Sequence, residues 1–305
     1  MLATDIGIQG SDLLTLHDLS AQAILDLLSL SAQLEGVKDT PLQGQTIGLL
    51  FRKPSTRTRV SFEVAALELG AHSIYMTEDQ TQLSRGETVA DTARVLSRYL
   101  QALVVRTGAH SEIEEFAAAA GIPVVNALTD RFHPCQVLAD LKTVLEAKGT
   151  LAGLEVAWVG DGNNMLQEWI VAAAKLGIGL RAACPVGCDP DPKVMSLPIV
   201  AAHPPTILRS PLDAVRGADV VITDTWVSMG QRDSEQKRKA FEGFTVNEAL
   251  MSKADSDAIF LHCLPAHRGE EVTDGVLDGP QSVVFDEAEN RLHVQKAVLF
   301  AILGD

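Results

Sequence analysis

Short apolar runs recur along the chain, and each precedes a longer stretch in which apolar residues return at helical spacing. The runs are almost continuously apolar, which is typical of strands that a parallel sheet buries on both faces beneath helices. The clearest predicted strands are Thr46–Phe51, Ala102–Arg106, Pro123–Leu128, Glu155–Gly160, Asp219–Asp224 and Ala258–His262. The alternation predicts an α/β protein built from right-handed strand–helix–strand units.

The pattern restarts near residues 149–153, where a predicted helix ending at Lys148 meets a short glycine-containing link. We therefore expect two doubly wound parallel-sheet domains of similar size, over residues 1–149 and 150–305, linked by helices. The last predicted helix covers about residues 287–303. The proline-rich range Cys188–Pro211 shows little periodicity, so the sequence predicts a loop there.

The composition limits the classes of molecule that we expect the chain to bind. The chain carries 25 Lys and Arg against 40 Asp and Glu, a formal net charge of −15, which repels nucleic acid and anionic lipid. Its 4 cysteines are too few and too scattered for a disulfide scaffold or a structural zinc site. The N-terminus lacks a signal-peptide pattern, and no apolar run is long enough to cross a bilayer. We expect a soluble, cytoplasmic protein with small-molecule ligands.

The segment FRKPSTRTRV, which follows the first predicted strand, has the features of an anion site. Pro54 disfavours helix before it, and Ser55 or Thr56 can cap the helix that begins there. A helix N-terminus offers unpaired amides and the positive end of the dipole, while Arg57 offers a planar fork for phosphate. Thr58 adds a further hydroxyl. The alternative is a capped helix with a solvated basic first turn, but two arginines there oppose the dipole unless an anion is bound.

Further motifs follow in the order Arg106 at a strand end, DRFHPCQVLADL, GDGNN, DTWVSMGQ, HCLPAHRGEEV and FDEAENRLH. Together with STRTR they resemble the aspartate/ornithine carbamoyltransferase superfamily, from about residue 45 to the C-terminus. HCLP and the SMG loop resemble its ornithine branch. The resemblance implies transfer of the carbamoyl group of carbamoyl phosphate to the side-chain amine of ornithine in arginine biosynthesis. It also implies a homotrimer with shared active sites and no metal or other cofactor.

The resemblance also implies roles for individual residues. Catalysis is assigned to Arg57, Arg106, His133 and Cys263. Carbamoyl phosphate is expected to contact Ser55, Thr56, Arg57, Thr58, Gln82, Arg106, His133, Gln136, Cys263, Leu264 and Arg291, with Gln82 contributed to the neighbouring subunit. An isolated histidine before proline is more often structural, but the surrounding motif favours polarisation of the carbonyl oxygen by His133. Arg291 as a ligand implies that the last helix returns to the first domain.

For ornithine, the resemblance implies contacts with Asn164, Asp224, Ser228 and the backbone of Met229. Open α/β sheets place ligands at the carboxyl ends of strands, where Asp224 lies and where its carboxylate suits an ammonium group. Cys263 is expected to bind and orient the reacting amine and not to form a thioester. The alternative for Cys263 is an inert, buried free thiol.

Two residues depart from the family pattern. Gln167 and Glu168 stand where the family carries a small or amide residue and then serine, and Glu168 lies on the helical face of Asn164. Glu168 either alters the choice of amine or points to solvent, so N-acetylornithine and putrescine stay open as acceptors. GDGNNM has only two of the three glycines of a dinucleotide-binding turn, which is weak support for an oxidoreductase. A non-catalytic, anion-binding paralogue is disfavoured because it is expected to have lost several of the site residues.

Overall fold

Parallel strands form a separate sheet in each half of the chain. The computed structural model describes residues 6–37, 40–227 and 235–304. It divides into one unit of residues 1–139 and 289–305 and a second unit of residues 140–288. The division falls inside the helix Pro134–Lys148, whereas the sequence suggests a division just after that helix. The C-terminal helix, from residue 289 onward, belongs to the first unit.

The first unit contains a four-stranded sheet in the order β2-β1-β3-β4. Its strands are β1 (Thr46–Phe51), β2 (His72–Thr77), β3 (Ala102–Arg106) and β4 (Val124–Leu128). Its helices are α1 (Ala21–Gln33), α2 (Thr56–Glu68), α3 (Val89–Leu96), α4 (His110–Ala119) and the start of α5 (Pro134–Lys148), with 3-10 turns at Leu16–Asp18, Glu78–Gln80 and Gln82–Arg85. The strand order reverses between β1 and β3, where Phe51 pairs with Arg106. Open α/β sheets bind ligands at such a reversal, beyond the carboxyl ends of the strands.

The second unit contains a five-stranded parallel sheet in the order β7-β6-β5-β8-β9. Its strands are β5 (Glu155–Val159), β6 (Gly179–Ala183), β7 (Thr206–Leu208), β8 (Val220–Thr223) and β9 (Ile259–Leu261). The remaining helices are α6 (Asn164–Leu176), α7 (Pro192–Met195), α8 (Pro198–Ala202), α9 (Pro211–Val215), α10 (Glu235–Ala240), α11 (Glu248–Met251), α12 (Asp274–Leu277) and α13 (Val284–Leu303). This sheet reverses between β5 and β8, where Val159 pairs with Thr223.

The predicted α/β class with two doubly wound parallel sheets is confirmed, but the predicted loop over Cys188–Pro211 is wrong. That range contains α7, α8 and β7. Each of its two helices begins with a proline, at Pro192 and Pro198, where proline favours a helix because its missing N–H is not needed. Elements of three to five residues are also too short to show a hydrophobic period.

Each sheet is buried by apolar side chains from its own unit. Val105 on β3 and Phe116 on α4 belong to a cluster in the first unit, and Val221 on β8 and Phe260 on β9 belong to a cluster in the second. All four side chains are fully buried. Among the described residues, no helix is long and apolar enough to span a membrane.

A buried lysine ties α13 to the other helices of the first unit. Lys296 is 1% exposed. Its Nζ donates to the carbonyl oxygens of Leu34 at 3.0 Å and Val37 at 3.3 Å, and it pairs with the Glu68 carboxylate at 2.8 Å. Leu34 is the C-cap of α1 and Val37 lies just beyond it, so Lys296 supplies donors from α13 to carbonyl groups that have no partner within the helix.

Replacing this lysine tests whether α13 stabilises the first unit. We expect Lys296→Met to lower the free energy of unfolding by roughly 2–3 kcal/mol, because buried carbonyl oxygens lose their donors. Arg98→Met, which removes an exposed cation from the same unit, is the control and should change it by less than about 0.5 kcal/mol. Urea unfolding at one protein concentration measures both. Equal effects of the two substitutions would contradict the role of Lys296.

Candidate functional site

The N-terminus of α2 is organised by two hydroxyl groups. Ser55 caps the helix: its Oγ accepts the Thr58 N–H at 3.3 Å and donates to Thr58 Oγ1 at 3.0 Å. Thr58 is fully buried, whereas Thr56 and Arg57 are exposed in the first turn. Within this described helix the first turn carries no acidic side chain. The positive end of the helix dipole is therefore available to an anion.

A guanidinium group from α13 reaches the same hydroxyl. Arg291 is 4% exposed. Its Nη2 donates to Thr58 Oγ1 at 2.7 Å, and its Nη1 donates to Gln136 Oε1, on α5, at 2.9 Å. A hydroxyl has two lone pairs and one proton, and the Thr58 oxygen already accepts from Ser55 and Arg291. The Thr58 proton is thus the part of the group that a ligand can use.

His133 lies among positive charges. It immediately precedes α5, Arg106 ends β3, and each is 4% exposed. Burial first, and then the guanidinium groups of Arg291 and Arg106, hold the pKa of His133 well below its usual range. The ring is therefore neutral near pH 7. Its Nδ1 is buried and has no hydrogen-bond partner among the residues that the structure describes.

The structure thus brings together Ser55, Thr58, Gln136 and Arg291 by hydrogen bonds, and His133 lies near the guanidinium groups of both Arg291 and Arg106. Gln82 is different. It lies on an exposed 3-10 turn that follows β2, and its Oε1 accepts a hydrogen bond from Arg85 at 3.2 Å. Among the described ranges, no hydrogen bond joins Gln82 to the other residues predicted to bind carbamoyl phosphate.

In the second unit, Asp224 follows β8 at the reversal of the sheet. One carboxylate oxygen, Oδ2, accepts from Asn163 Nδ2 at 2.7 Å. The other, Oδ1, accepts from the Thr225 N–H at 2.7 Å and the Cys263 thiol at 3.2 Å. Asn163 also caps α6 through its Oδ1, and Asn164 is the first residue of that helix. Asn163 is not among the predicted site residues, although asparagine before a helix is a strong capping signal.

The Cys263 thiol is protonated. Burial raises its pKa well above the usual range, and the Asp224 carboxylate raises it further. A nucleophilic cysteine needs a lowered pKa, because the thiolate is the reactive form. The contact with Asp224 therefore suits a positioning role better than covalent attack. Ser228 and Met229, the other predicted ornithine contacts, lie outside the described residues.

Glu168 does not point to solvent, so that alternative from the sequence is wrong. Its side chain is 0% exposed on α6. The neighbouring Gln167 is 6% exposed, and its Nε2 donates to the Gly162 carbonyl oxygen at 3.4 Å. Gly162 itself must be glycine, because a Cβ there would lie 2.3 Å from the Asp189 backbone. The two unusual residues are thus part of the interior beneath the GDGNN turn.

Three potential metal ligands lie close together, on Asp224, His262 and Cys263, with their ligand atoms within 4.8 Å of one another. Both ring nitrogens of His262 are already engaged, however. Nε2 lies 3.1 Å from Glu271 Oε1, and Nδ1 accepts the Leu264 N–H at 2.9 Å. A metal needs an available imidazole lone pair, so this arrangement favours hydrogen bonding.

Two family models together match most of the chain. Residues 11–146 match the model described as "Aspartate/ornithine carbamoyltransferase, carbamoyl-P binding domain", and residues 152–302 match the model described as "Aspartate/ornithine carbamoyltransferase, Asp/Orn binding domain". The chain therefore belongs to the aspartate/ornithine carbamoyltransferase family, as the resemblance of its motifs predicts.

Known relatives are similar over nearly the whole chain. An ornithine carbamoyltransferase of Syntrophus aciditrophicus is 51% identical over 295 residues, covering 94% of this chain and 98% of the relative. One from Pyrococcus horikoshii is 48% identical and covers 98% of each chain. Among solved structures, ornithine carbamoyltransferase from Pyrococcus furiosus matches with a TM-score of 0.93 at 48% identity, covering 97% of this chain and 98% of that one.

The lowered pKa of His133 predicts a contribution to acid sensitivity. Below about pH 6.5 the unfolded chain protonates this histidine while the folded chain does not, so stability falls as the pH falls. We expect wild type to lose about 2 kcal/mol more than His133→Asn between pH 7.5 and pH 5.0, since one proton contributes at most about 1.4 kcal/mol per pH unit. Urea unfolding at the two pH values measures the difference.

His203→Asn is the matched control, because it removes an exposed imidazole from the second unit and leaves the buried ring of His133 in place. Equal acid sensitivity of wild type and His133→Asn would show that folding does not lower the pKa of His133, and would contradict a ring held neutral by its surroundings.

Proposed function

We propose that the chain is an ornithine carbamoyltransferase of arginine biosynthesis, which converts carbamoyl phosphate and L-ornithine to L-citrulline and phosphate. The observation that carries the proposal is the neutral His133 beside two buried guanidinium groups in the first unit. Buried cations are costly unless an anion or hydrogen-bond acceptors compensate them. A phosphorylated donor with a carbonyl group supplies both an anion and an oxygen for His133.

The proposed donor site uses the reversal point of the first sheet. The phosphate group binds at the N-terminus of α2, to Ser55, Thr56, Arg57 and Thr58, with Gln136 and Arg291 behind them. The carbonyl oxygen faces Arg106 and His133. Preorganised donors of this kind stabilise negative charge as it develops, and removing one from other enzymes costs roughly 3–4 kcal/mol. We also assign the backbones of Cys263 and Leu264 to the carbamoyl nitrogen, as the family resemblance implies.

The reaction needs a neutral amine. A lysine-like amine has a pKa of about 10.4 in water, and the guanidinium groups of the donor site favour its deprotonated form. Its nitrogen attacks the carbonyl carbon, and the carbonyl oxygen becomes negative against Arg106, His133 and Thr58. The bond from carbon to the phosphate oxygen then breaks, and phosphate leaves with the proton of the amine. Positioning and electrostatics are thus the contribution of this chain.

The proposed acceptor site uses the reversal point of the second sheet. Asp224, held by Asn163 and adjacent to the Cys263 thiol, offers the carboxylate that an ammonium group requires. Asn164, Ser228 and Met229 complete the proposed contacts with the amino-acid end of ornithine. N-acetylornithine lacks the free α-ammonium group, whereas putrescine keeps an ammonium group there but lacks the α-carboxylate. Both are therefore expected to be poorer acceptors.

A parallel assay tests the reaction and the acceptor together. Purified protein and carbamoyl phosphate are offered ornithine, N-acetylornithine, putrescine or aspartate, and each carbamoylated product is quantified. We expect citrulline to form about 100-fold faster than any other product, because sites built for polar groups reject analogues that lack them. A faster reaction with another amine would reassign the acceptor, and no carbamoylated product with any amine would refute the transferase.

Two arginines of α2 make a matched pair for the donor site. Arg57→Ala should lower kcat/KM by about 1000-fold or more, because a planar, charge-assisted phosphate contact is lost. Arg59→Ala removes a guanidinium group that lies 3.8 Å from the Tyr75 ring and pairs with Glu63, and should lower kcat/KM by less than tenfold. Initial rates of citrulline formation and thermal melting of both variants check this. Near-normal turnover by a folded Arg57→Ala protein would contradict the proposed site.

We further propose a cytoplasmic homotrimer in which Gln82 serves the site of the neighbouring subunit. Strand β2 is the edge of its sheet and is directly followed by the turns that carry Gln82. Apolar side chains are exposed on β2 and on α2, including Ile74 at 42% and Leu67 at 71%. Exposed apolar residues beside a sheet edge are typical of a subunit contact.

A charge on this surface tests the assembly. Leu67→Asp should shift the protein toward monomers and reduce citrulline formation at low protein concentration, because the charge must be desolvated in an interface. Val186→Asp is the control, since Val186 is 82% exposed in the second unit. Sedimentation velocity reports the masses. A monomeric wild type with full activity would contradict the shared site.

A further inference from the structure

A buried histidine and carboxylate lie behind Cys263 in the second unit. His262, which follows β9, and Glu271 are both 0% exposed. Glu271 Oε1 lies 3.1 Å from His262 Nε2 and also accepts the His267 N–H at 2.6 Å. Burial alone would raise the pKa of Glu271, but the hydrogen bonds from His262 and His267 outweigh it and lower the pKa. Glu271 is therefore an ionised acceptor.

These bonds determine which ring nitrogen of His262 carries the proton. Nδ1 lies 2.9 Å from the backbone nitrogen of Leu264, and an amide N–H can only donate. Nδ1 must therefore be unprotonated, and the proton of the neutral ring is on Nε2, where the Glu271 carboxylate accepts it. The backbone of Glu271 is also held in place, because its carbonyl oxygen accepts the Val246 N–H at 2.8 Å.

The hydrogen bond from the Leu264 N–H to His262 Nδ1 holds Leu264 in an unusual backbone conformation. Leu264 has a φ of +54°, in the left-handed region that residues with a side chain rarely adopt. Such a conformation persists only where surrounding contacts determine it. On the other side of Cys263, the His262 N–H donates to Glu287 Oε2 at 2.8 Å. The amides flanking Cys263 are thus both anchored, and its Sγ reaches Asp224 Oδ1 at 3.2 Å.

We propose that His262 and Glu271 are positioning residues for carbamoyl transfer: Glu271 fixes the Nε2–H tautomer of His262, and His262 Nδ1 holds the Leu264 amide and so places Cys263 against Asp224. This inference rests on the proposed function, because its consequence is the rate of transfer to ornithine. The phosphate group is assigned to the first unit, so the two residues affect kcat/KM for ornithine and leave phosphate affinity unchanged.

Two substitutions of His262 separate its nitrogens. In His262→Asn, the amide oxygen can take the place of Nδ1 and accept the Leu264 N–H. In His262→Gln, the amide reaches the position of Nε2 and leaves the Leu264 N–H without this acceptor. We expect His262→Asn to keep kcat/KM for ornithine within about tenfold of wild type and His262→Gln to lose about 100-fold, as expected for a displacement on the order of 1 Å.

Inorganic phosphate is the probe of the first unit, and its dissociation constant should stay within about twofold of wild type in both variants. A purely structural role for His262 would lower activity and melting temperature equally in the two variants. Equal loss of kcat/KM in folded His262→Asn and His262→Gln proteins overturns the proposal.

Two substitutions of Glu271 give a second test, which does not depend on the folding of the His262 variants. Glu271→Gln keeps an oxygen at the position of Oε1 and should retain most activity, whereas Glu271→Met removes the acceptor and should lose about 10- to 100-fold. Nitrogen-15 NMR of histidine-labelled protein reads the tautomer directly. We expect an unprotonated Nδ1 at His262 in wild type and Glu271→Gln, and a mixture in Glu271→Met.

A protonated Nδ1 in wild type overturns the proposal regardless of activity. Wild-type protein that forms no citrulline, with the predicted tautomer present, refutes the proposed function and not the network. Citrulline formation with indistinguishable rates for Glu271→Gln and Glu271→Met refutes the positioning role alone.

Discussion

The first unit depends on the guanidinium group of Arg291. From a helix at the end of the chain it donates to Thr58 on α2 and to Gln136 on α5, with almost no exposure to water. Those two acceptors lie 233 and 155 residues away in sequence, so a single side chain joins the elements that the proposed donor site needs. A buried cation is stable only where its donors are used and its charge is compensated. The same group therefore links the return of α13 to the capacity to bind an anion.

The strand order of each sheet determines where the other proposed site residues lie. In each sheet the strand order reverses beside the first strand of the unit, and polar residues follow the carboxyl ends of the two strands that flank the reversal. In the first unit these are the α2 turn and Arg106; in the second they are the GDGNN turn and Asp224. Strands that diverge to opposite sides leave a crevice at that point. The two proposed sites differ in chemistry but follow from one architectural rule, with cations in one unit and a carboxylate and thiol in the other.

Much of this organisation could be predicted from the sequence, because continuous apolar runs such as Thr46–Phe51 and a capping serine before a helix are local signals. Strand β7 and helices α7 and α8 could not, since they are shorter than the period that would identify them. The hydrogen-bond partners of polar side chains could not be predicted from the sequence either. Asn163 and Glu271 gain their roles from contacts with residues 61 and 9 positions away, Asp224 and His262, and only the fold brings those atoms together. Glu168 likewise could be placed on a helical face, but not inside the protein.

The most direct test of the role of Arg291 in anion binding is the equilibrium binding of carbamoyl phosphate, without any acceptor. Wild type and Arg291→Lys are compared. Lysine keeps the positive charge but cannot donate to Thr58 and Gln136 at once as the planar fork does. We predict that titration calorimetry with freshly prepared carbamoyl phosphate gives a Kd at least about 30-fold weaker for the variant, roughly the worth of one charge-assisted bond. Equal Kd values for two proteins of equal thermal stability would contradict the assignment of Arg291 to the donor site.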